Sequence, residues 1–406
     1  MPNVAFVAPF FLPTTLRFVQ AAAGLEGVRL GLVSQEPEEK VPPELAARLA
    51  AYARVEDALS ADGVDVGLRA LSAELGSIDR LLGALEELQV PLGILRDRHG
   101  IPGMGAEVAE NFRDKSRMKD VLRAADLPCA RHALVADAES ALEFAEGSGY
   151  PVIAKPPAGS GARRTFRLET PQELLACLTS MPPSPEQPTL VEEFVIGEEQ
   201  SFDSVMVGGR IVWHSISHYV PSPLQVLREP WIQWCVLIPR EVDAPGYEGI
   251  RAVAGDVLRA LGMRTGLSHM EWFRRPDGSV AVSEVGARPP GAQFTTLMSY
   301  AHDTDLYAAW ARLMVFGDFD PPARPYAAGA AYLRGQGRGR VRHVAGLQEI
   351  ADELGPLAVE VKLPRSGQPK SSSYEGEGYI IVRHPETDAV REALQTIVTR
   401  VRVELG

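Results

Sequence analysis

Residues 267–291 restrict how this chain can fold more than any other stretch. Two apolar, strand-like runs flank Pro276-Asp277-Gly278, which has the turn chemistry of a tight hairpin. With the turn centred between Asp277 and Gly278, residues equally far from it pair across the hairpin, and Glu271 falls opposite Glu284. Facing carboxylates on one sheet surface repel and weaken the pairing. Two arrangements resolve that conflict: the side chains turn to solvent, or a cation sits between them. Oxygen ligands without His or Cys suit a hard ion such as Mg²⁺, usually held by one or two carboxylates plus substrate phosphates.

Composition narrows the class. A chain of 406 residues has room for two or three domains with their own cores. Its 45% hydrophobic and 23% charged residues are ordinary for a soluble globular protein. The net charge of −12 argues against nucleic acid as a partner, although a nucleotide needs only a local cationic pocket. Cys129, Cys177 and Cys235 form no CxxC pair. That disfavours a disulfide framework or a zinc site and fits a reducing cytoplasm. The first ten residues lack a basic n-region, so they make a poor signal peptide. No apolar run reaches membrane-spanning length, so no membrane partner is expected.

The pattern along the chain predicts an N-terminal doubly wound unit. Strand 4–8, helix 14–24 and strand 28–33 make an α/β unit, followed by helices at 44–59 and 77–89 and a strand at 91–95. Ala8-Pro9-Phe10-Phe11 stands where a Gly-rich dinucleotide fingerprint would be needed, so NAD binding is rejected and the unit is read as a scaffold or cleft wall. Further on, the spacing predicts helices at 111–125, 139–147, 173–180, 247–261 and 305–316, and strands at 152–155, 189–193, 200–207, 210–217 and 231–238. Residues 219–230 read as a long irregular loop, 317–325 as a linker, and 326–406 as a β-rich unit ending in a helix over 387–402.

Two further motifs carry chemistry. In residues 150–165 an apolar strand ends in Lys155 and runs into Gly159-Ser160-Gly161. Glycines let backbone amides approach an anion and a lysine supplies a point charge for phosphate, although the Walker spacing is absent. Alone, the segment reads equally as a surface loop. In residues 190–203 a strand enters Glu192-Glu193, a turn at Gly197, then another strand. Its acids can accept from an exocyclic amine or a ribose, and the backbone beside Val195 can pair with a base edge; a solvated linker is the plainer alternative.

Taken in order, a basic segment, a strand–Lys–Gly loop, an acidic hinge and a two-carboxylate hairpin with a following arginine resemble the ATP-grasp superfamily over roughly residues 91–316, in particular its carboxylate–amine ligases. The resemblance implies an α/β (α+β) ATP-grasp fold with a biotin carboxylase-like layout. A pre-ATP-grasp domain would span 1–112 and an ATP-grasp domain 113–316, with a small lobe at 113–195 and a large lobe at 196–316. A C-terminal domain would span 317–406. It implies ATP and Mg²⁺, with Mn²⁺ as an alternative ion. Lys115 looks like the first nucleotide-contacting base and Lys155 the second, with Gly159, Ser160 and Gly161 as the loop over the triphosphate. Glu192 resembles the adenine-side acid, Glu193 and Val195 the hinge, and Glu199 the ribose acceptor. Glu271 and Glu284 resemble the metal carboxylates, and Arg288 the arginine that steadies an acyl phosphate.

Gly286 departs from the pattern, since many relatives carry Asn there; a water would then complete the metal shell. Arg163-Arg164 replaces smaller residues in the loop. His269 shares the sheet face of Glu271, and either touches substrate or packs. Arg228 either clamps a substrate carboxylate or is solvated; Trp231 and Trp234 are read as strand core. The implied reaction joins a small carboxylic acid, such as an amino acid, to an amine through an acyl phosphate, with the loop near Gly159 and residues 219–230 as lids. The alternatives are a biotin- or purine-type carboxylase using bicarbonate, and a catalytically silent nucleotide-binding protein. A homodimer is the commonest oligomer for such a chain.

Overall fold

Strand Asn3–Val7 is buried along nearly its whole length, as a strand covered on both faces must be, and it pairs in parallel with Arg29–Ser34 and Arg80–Leu82. Ala51–Arg54 adds to the outer side of Arg29–Ser34, giving a four-stranded parallel sheet. The computed structural model describes residues 1–159, 164–229 and 232–406. Helix Ala61–Leu75 starts at Ser60, whose hydroxyl accepts from the Gly63 amide at 3.1 Å, and covers one face of this sheet. Gly67 is its point of closest approach: a Cβ there would lie 2.6 Å from Cγ1 of Val33. Gly67→Val should therefore destabilise the protein by about 1–3 kcal/mol through overpacking, read as a lower urea midpoint. An unchanged midpoint would mean that the helix can back away freely.

Several N-terminal expectations are corrected. The helix expected at 44–59 shrinks to Pro43–Ala46, because Ala51 and Ala53 alternate as a strand pattern and pair with the neighbouring strand. Residues 77–89 contain the strand Arg80–Leu82 and a turn of 3₁₀-helix at Glu86–Leu88. The strand expected at 91–95 lies inside helix Gln89–His99, where Pro91 falls in the first turn and costs no helical hydrogen bond. The single helix expected at 111–125 is two, Ala106–Arg113 and Lys115–Ala124. Asp114 separates them and caps the second, accepting from the amides of Ser116 at 2.8 Å and Arg117 at 2.9 Å.

The small lobe is an antiparallel sheet ordered His132–Val135, Thr189–Glu193, Val152–Lys155, Phe166–Leu168. Helices Ala138–Ser148 and Pro171–Ser180 pack on one face through Ala141, Ala145, Leu174 and Leu178. The other sheet has eight strands, ordered Val280–Gly286, Gly266–Arg274, Glu198–Val207, Arg210–Val220, Trp234–Ile238, Ala327–Leu333, Gly378–His384, Ala358–Lys362. It therefore runs without a break from the hairpin into the C-terminal stretch. The three short strands Gly335–Gln336, Val341–Ala345 and Arg402–Leu405 form a small separate sheet within that stretch.

The irregular loop expected at 219–230 is also corrected. Its first residues extend the strand to Val220, and Ser222 caps helix Pro223–Arg228. Trp234 is 1% exposed, a core residue as expected, while Trp231 lies outside the described residues. The main core joins the parallel sheet to the large one: Phe18 contacts Tyr307 and Trp310 at 4.6 and 4.9 Å between ring centres. The N-terminal unit is thus fixed against the back of the cleft. No helix among the described residues is long and apolar enough to cross a membrane.

Candidate active site

Glu271 and Glu284 are register partners across the hairpin, as the count from the turn requires. The route to that register differs from the count. Next to the turn Trp272 pairs with Val282 and Arg274 with Val280, one residue short of the expected centre. A bulge at Ser283 restores the residue and brings the two acids opposite each other. The bulge is held from below: the buried Lys119 ammonium donates to the Ser283 carbonyl at 2.5 Å, and the Val282 amide donates to the Pro128 carbonyl at 2.9 Å.

Lysines from helix Lys115–Ala124 and strand Val152–Lys155 meet this hairpin. Lys115 opens its helix with Nζ 2.9 Å from Glu284 and 2.9 Å from the Gly159 carbonyl, which also accepts from Arg113 at 3.1 Å. Although burial opposes it, Lys115 and then Lys155 hold the Glu284 carboxyl below its ordinary range. Lys155 ends its strand with Nζ 2.7 Å from Glu192, and Lys119 reaches the other oxygen of Glu192 at 2.9 Å. Burial alone would raise the Glu192 pKa; the two ammonium groups bring it down to about 2. Ser160 and Gly161 lie outside the described residues, as does Arg163.

The hinge follows directly. Glu193 is held by Arg131 at 2.5 Å and Arg275 at 3.2 Å, which fixes the crossing from one lobe to the other. Val195 packs with Ala130, Ala281 and Phe273 in a small apolar cluster, an arrangement that suits a flat ring. Glu199 sits opposite Phe273, facing the cleft, where burial and then Glu271 push its carboxyl up to about 8. Lys115, Lys155, Glu192, Glu199, Glu271 and Glu284 line one cleft of about 510 Å³.

At the other end of the cleft, His269 Nδ1 lies 2.7 Å from Oδ1 of the fully buried Asp203, and Nε2 lies 3.8 Å from Glu271. Burial pulls the imidazole pKa down, but Asp203 outweighs it and pushes it up to about 9. Arg288 is gripped through Nε by Glu86 of the N-terminal unit and donates to the Pro289 carbonyl at 2.8 Å. Phe294, Tyr219, Trp234 and Tyr374 continue the wall in ring contact, and Glu375 closes it. Arg228 is not brought to this cleft: it is exposed in a neighbouring depression with Arg167, Glu169 and Gln225.

Sequence reading missed Lys119, Asp203, Glu86 and Glu375. The first two were visible only as a second basic residue in the Lys115 segment and as an acid in a strand. Which strand lies beside which is not local information, and it is strand pairing that sets Asp203 against His269.

The acids fit Mg²⁺. They face each other on one sheet surface, and Glu284 is held ionised at neutral pH by its lysines. No group of three or more His, Cys, Asp or Glu side chains gathers as a metal site among the described residues. Two carboxylates with open positions suit an ion that keeps water and takes phosphate oxygens.

Residues 114–198 match the family described as the ATP-binding domain of the carbamoyl-phosphate synthase large chain. The chain is 25% identical over 294 residues to the L-arginine-specific L-amino acid ligase of Bacillus subtilis, covering 71% of this chain and 70% of that protein. It superposes on the L-amino acid ligase of Bacillus licheniformis with a TM-score of 0.80 at 17% identity, over 100% of this chain and 99% of the other. A carboxyaminoimidazole ribonucleotide synthase from asperigillus clavatus, solved in complex with ATP, gives a TM-score of 0.72 at 16% identity, with 99% of each chain covered. With its cleft lined by lysines and the acidic hairpin at its base, the chain has the fold of these ATP-dependent enzymes and is similar to the ATP-grasp ligases.

Proposed function

We propose that this ligase condenses the carboxylate of an amino acid, or a similar small acid, with an amine at the expense of ATP. The observation that carries this reading is the convergence of Glu271, Glu284, Lys115, Lys155 and Arg288 on one cleft. Lys115 and Lys155 hold the phosphates, and release of their ion pairs with Glu284 and Glu192 is offset by the phosphate charge. Glu271 and Glu284 would hold Mg²⁺, which when bound offsets charge on the phosphates. The hinge at Glu193 and Val195 seats the base, and Glu199 meets the ribose.

The substrate carboxylate oxygen attacks the γ-phosphorus, the bond to the ADP oxygen breaks, and an acyl phosphate forms. The Arg288 guanidinium offsets the charge on that group. The amine nitrogen then attacks the acyl carbon, loses a proton, and displaces phosphate. His269, held by Asp203, stands where it can contact the acid. The wall of Phe294, Trp234 and Tyr374 keeps water from an intermediate that water would destroy.

The test is an ADP-release screen over pairs of amino acids, with products read by mass. ADP release that needs both a free acid and an amine, with a product of the mass of the acid plus the amine less water, supports the proposal. Release with bicarbonate in place of the organic acid would move the assignment to a carboxylase, and nucleotide binding without turnover across the panel would remove it.

A further inference from the structure

We propose that Glu86, delivered by the N-terminal unit, is the positioning residue for Arg288. The inference rests on Arg288 acting at the acyl group, as proposed above.

Three observations converge. Glu86 lies in the turn Glu86–Leu88 of the N-terminal unit, which lends one wall to the cleft, and its side chain is 8% exposed and bonds Arg288 Nε. A Cβ built on Gly286 would stand in ordinary contact, 3.4 Å from the same Glu86 oxygen and 3.8 Å from Cγ of Arg288, so the Glu86–Arg288 pair lies directly beside the hairpin backbone. Gly286 pairs with His269 across the hairpin, two residues beyond Glu284 on the same face. Glu86 therefore reaches over the end of the acidic hairpin from outside the sheet, at the position where a longer residue 286 would project.

A guanidinium has several donors in a fixed plane, so gripping one edge sets the direction of the rest. With Nε taken by Glu86 and one terminal nitrogen by the Pro289 carbonyl, the orientation of Arg288 is set before substrate enters. The charge of Glu86 also keeps the buried guanidinium paired. The N-terminal unit thus contributes to the reaction through Arg288. Its docking becomes a condition for acyl transfer and leaves ATP binding alone.

The experiment uses the full chain, with Glu86→Ala and Glu86→Asp beside wild type. Arginine-labelled protein is read by NMR for a slowly exchanging Arg288 Nε–H signal, assigned by its loss in Arg288→Lys. The expected result is a protected signal in wild type that disappears in Glu86→Ala. ATP affinity, read by calorimetry, stays within about twofold, because the change touches no phosphate-holding lysine. Misplacing a reacting group by about 1 Å costs on the order of 100-fold, so kcat falls by about 30- to 100-fold, with little change in the KM for ATP. Glu86→Asp recovers part of that loss. A signal that survives Glu86→Ala overturns the proposal, and so does a lost signal with wild-type kcat. If wild type turns over no acid, the proposed reaction fails instead, while the NMR result still decides whether Glu86 orients Arg288.

Discussion

Glu284→Gln is expected to lower ADP release by about 100- to 1000-fold, since a metal-held charge is worth several kcal/mol to the transition state and each 1.36 kcal/mol is tenfold. The change keeps the shape of the side chain and removes only its charge. Two electrostatic effects on the fold oppose each other. Attraction to Lys115 at 2.9 Å is lost, and so is repulsion from Glu271 across the hairpin. Lys115 keeps the Gly159 carbonyl at 2.9 Å as an acceptor, so the ammonium is not left without a partner. The melting temperature should move by only a few degrees. An activity-independent reading separates the metal role from a general defect: MgADP should raise the melting temperature of wild type and raise that of the variant less. Wild-type turnover in Glu284→Gln would remove the metal assignment.

The facing of Glu271 and Glu284 was legible in the sequence, but for an incomplete reason. Counting from Asp277-Gly278 misplaced the turn by one residue, and the Ser283 bulge, which no local pattern announced, added one back. What makes the bulge stable is Lys119, more than 160 residues away, so its cause lies in tertiary contacts. Motifs read well where a strand and its functional residue are adjacent, as at Lys155 ending Val152–Lys155 and at Glu192 within Thr189–Glu193. They read poorly where apolar spacing is ambiguous. Ala51–Arg54 has a short alanine-rich alternation that also fits a helix, and only its pairing with Arg29–Ser34 makes it a strand. The same ambiguity hides Glu86, because the spacing of residues 77–89 predicts a helix, in which the acid has no reason to reach the cleft. Arg228 shows the converse. A basic residue in an expected loop suggested a substrate clamp, whereas the loop is largely strand and helix and carries that side chain to the neighbouring depression.

Glu192→Gln is the change expected to cost most stability, about 3–5 kcal/mol. Glu192 is 4% exposed and stands between two buried lysines, with Nζ of Lys119 at 2.9 Å and of Lys155 at 2.7 Å. Removing one partner of a buried ionic group is far more damaging than replacing the whole group, because the remaining charges stay desolvated without compensation. Burial already pulls the Lys119 ammonium below its ordinary range, so without Glu192 it would tend to give up its proton. Its bond to the Ser283 carbonyl would weaken, and with it the bulge that sets Glu284. Lys119→Met in the same chain should recover part of the loss by removing one orphaned charge. The pH dependence has a definite sign. The folded pKa of about 2 lies below the ordinary 4.5, so the carboxylate stabilises the fold fully above pH 4.5, and this contribution drains away as pH falls toward 2. A shift of that size corresponds to about 3 kcal/mol, consistent in scale with the mutational loss. Urea unfolding at pH 7 and pH 3 should therefore show the gap between wild type and Glu192→Gln shrinking in acid. A gap that stays constant would mean that the lysines are not what holds Glu192 ionised, and full stability of the variant at pH 7 would mean that water reaches the lysines.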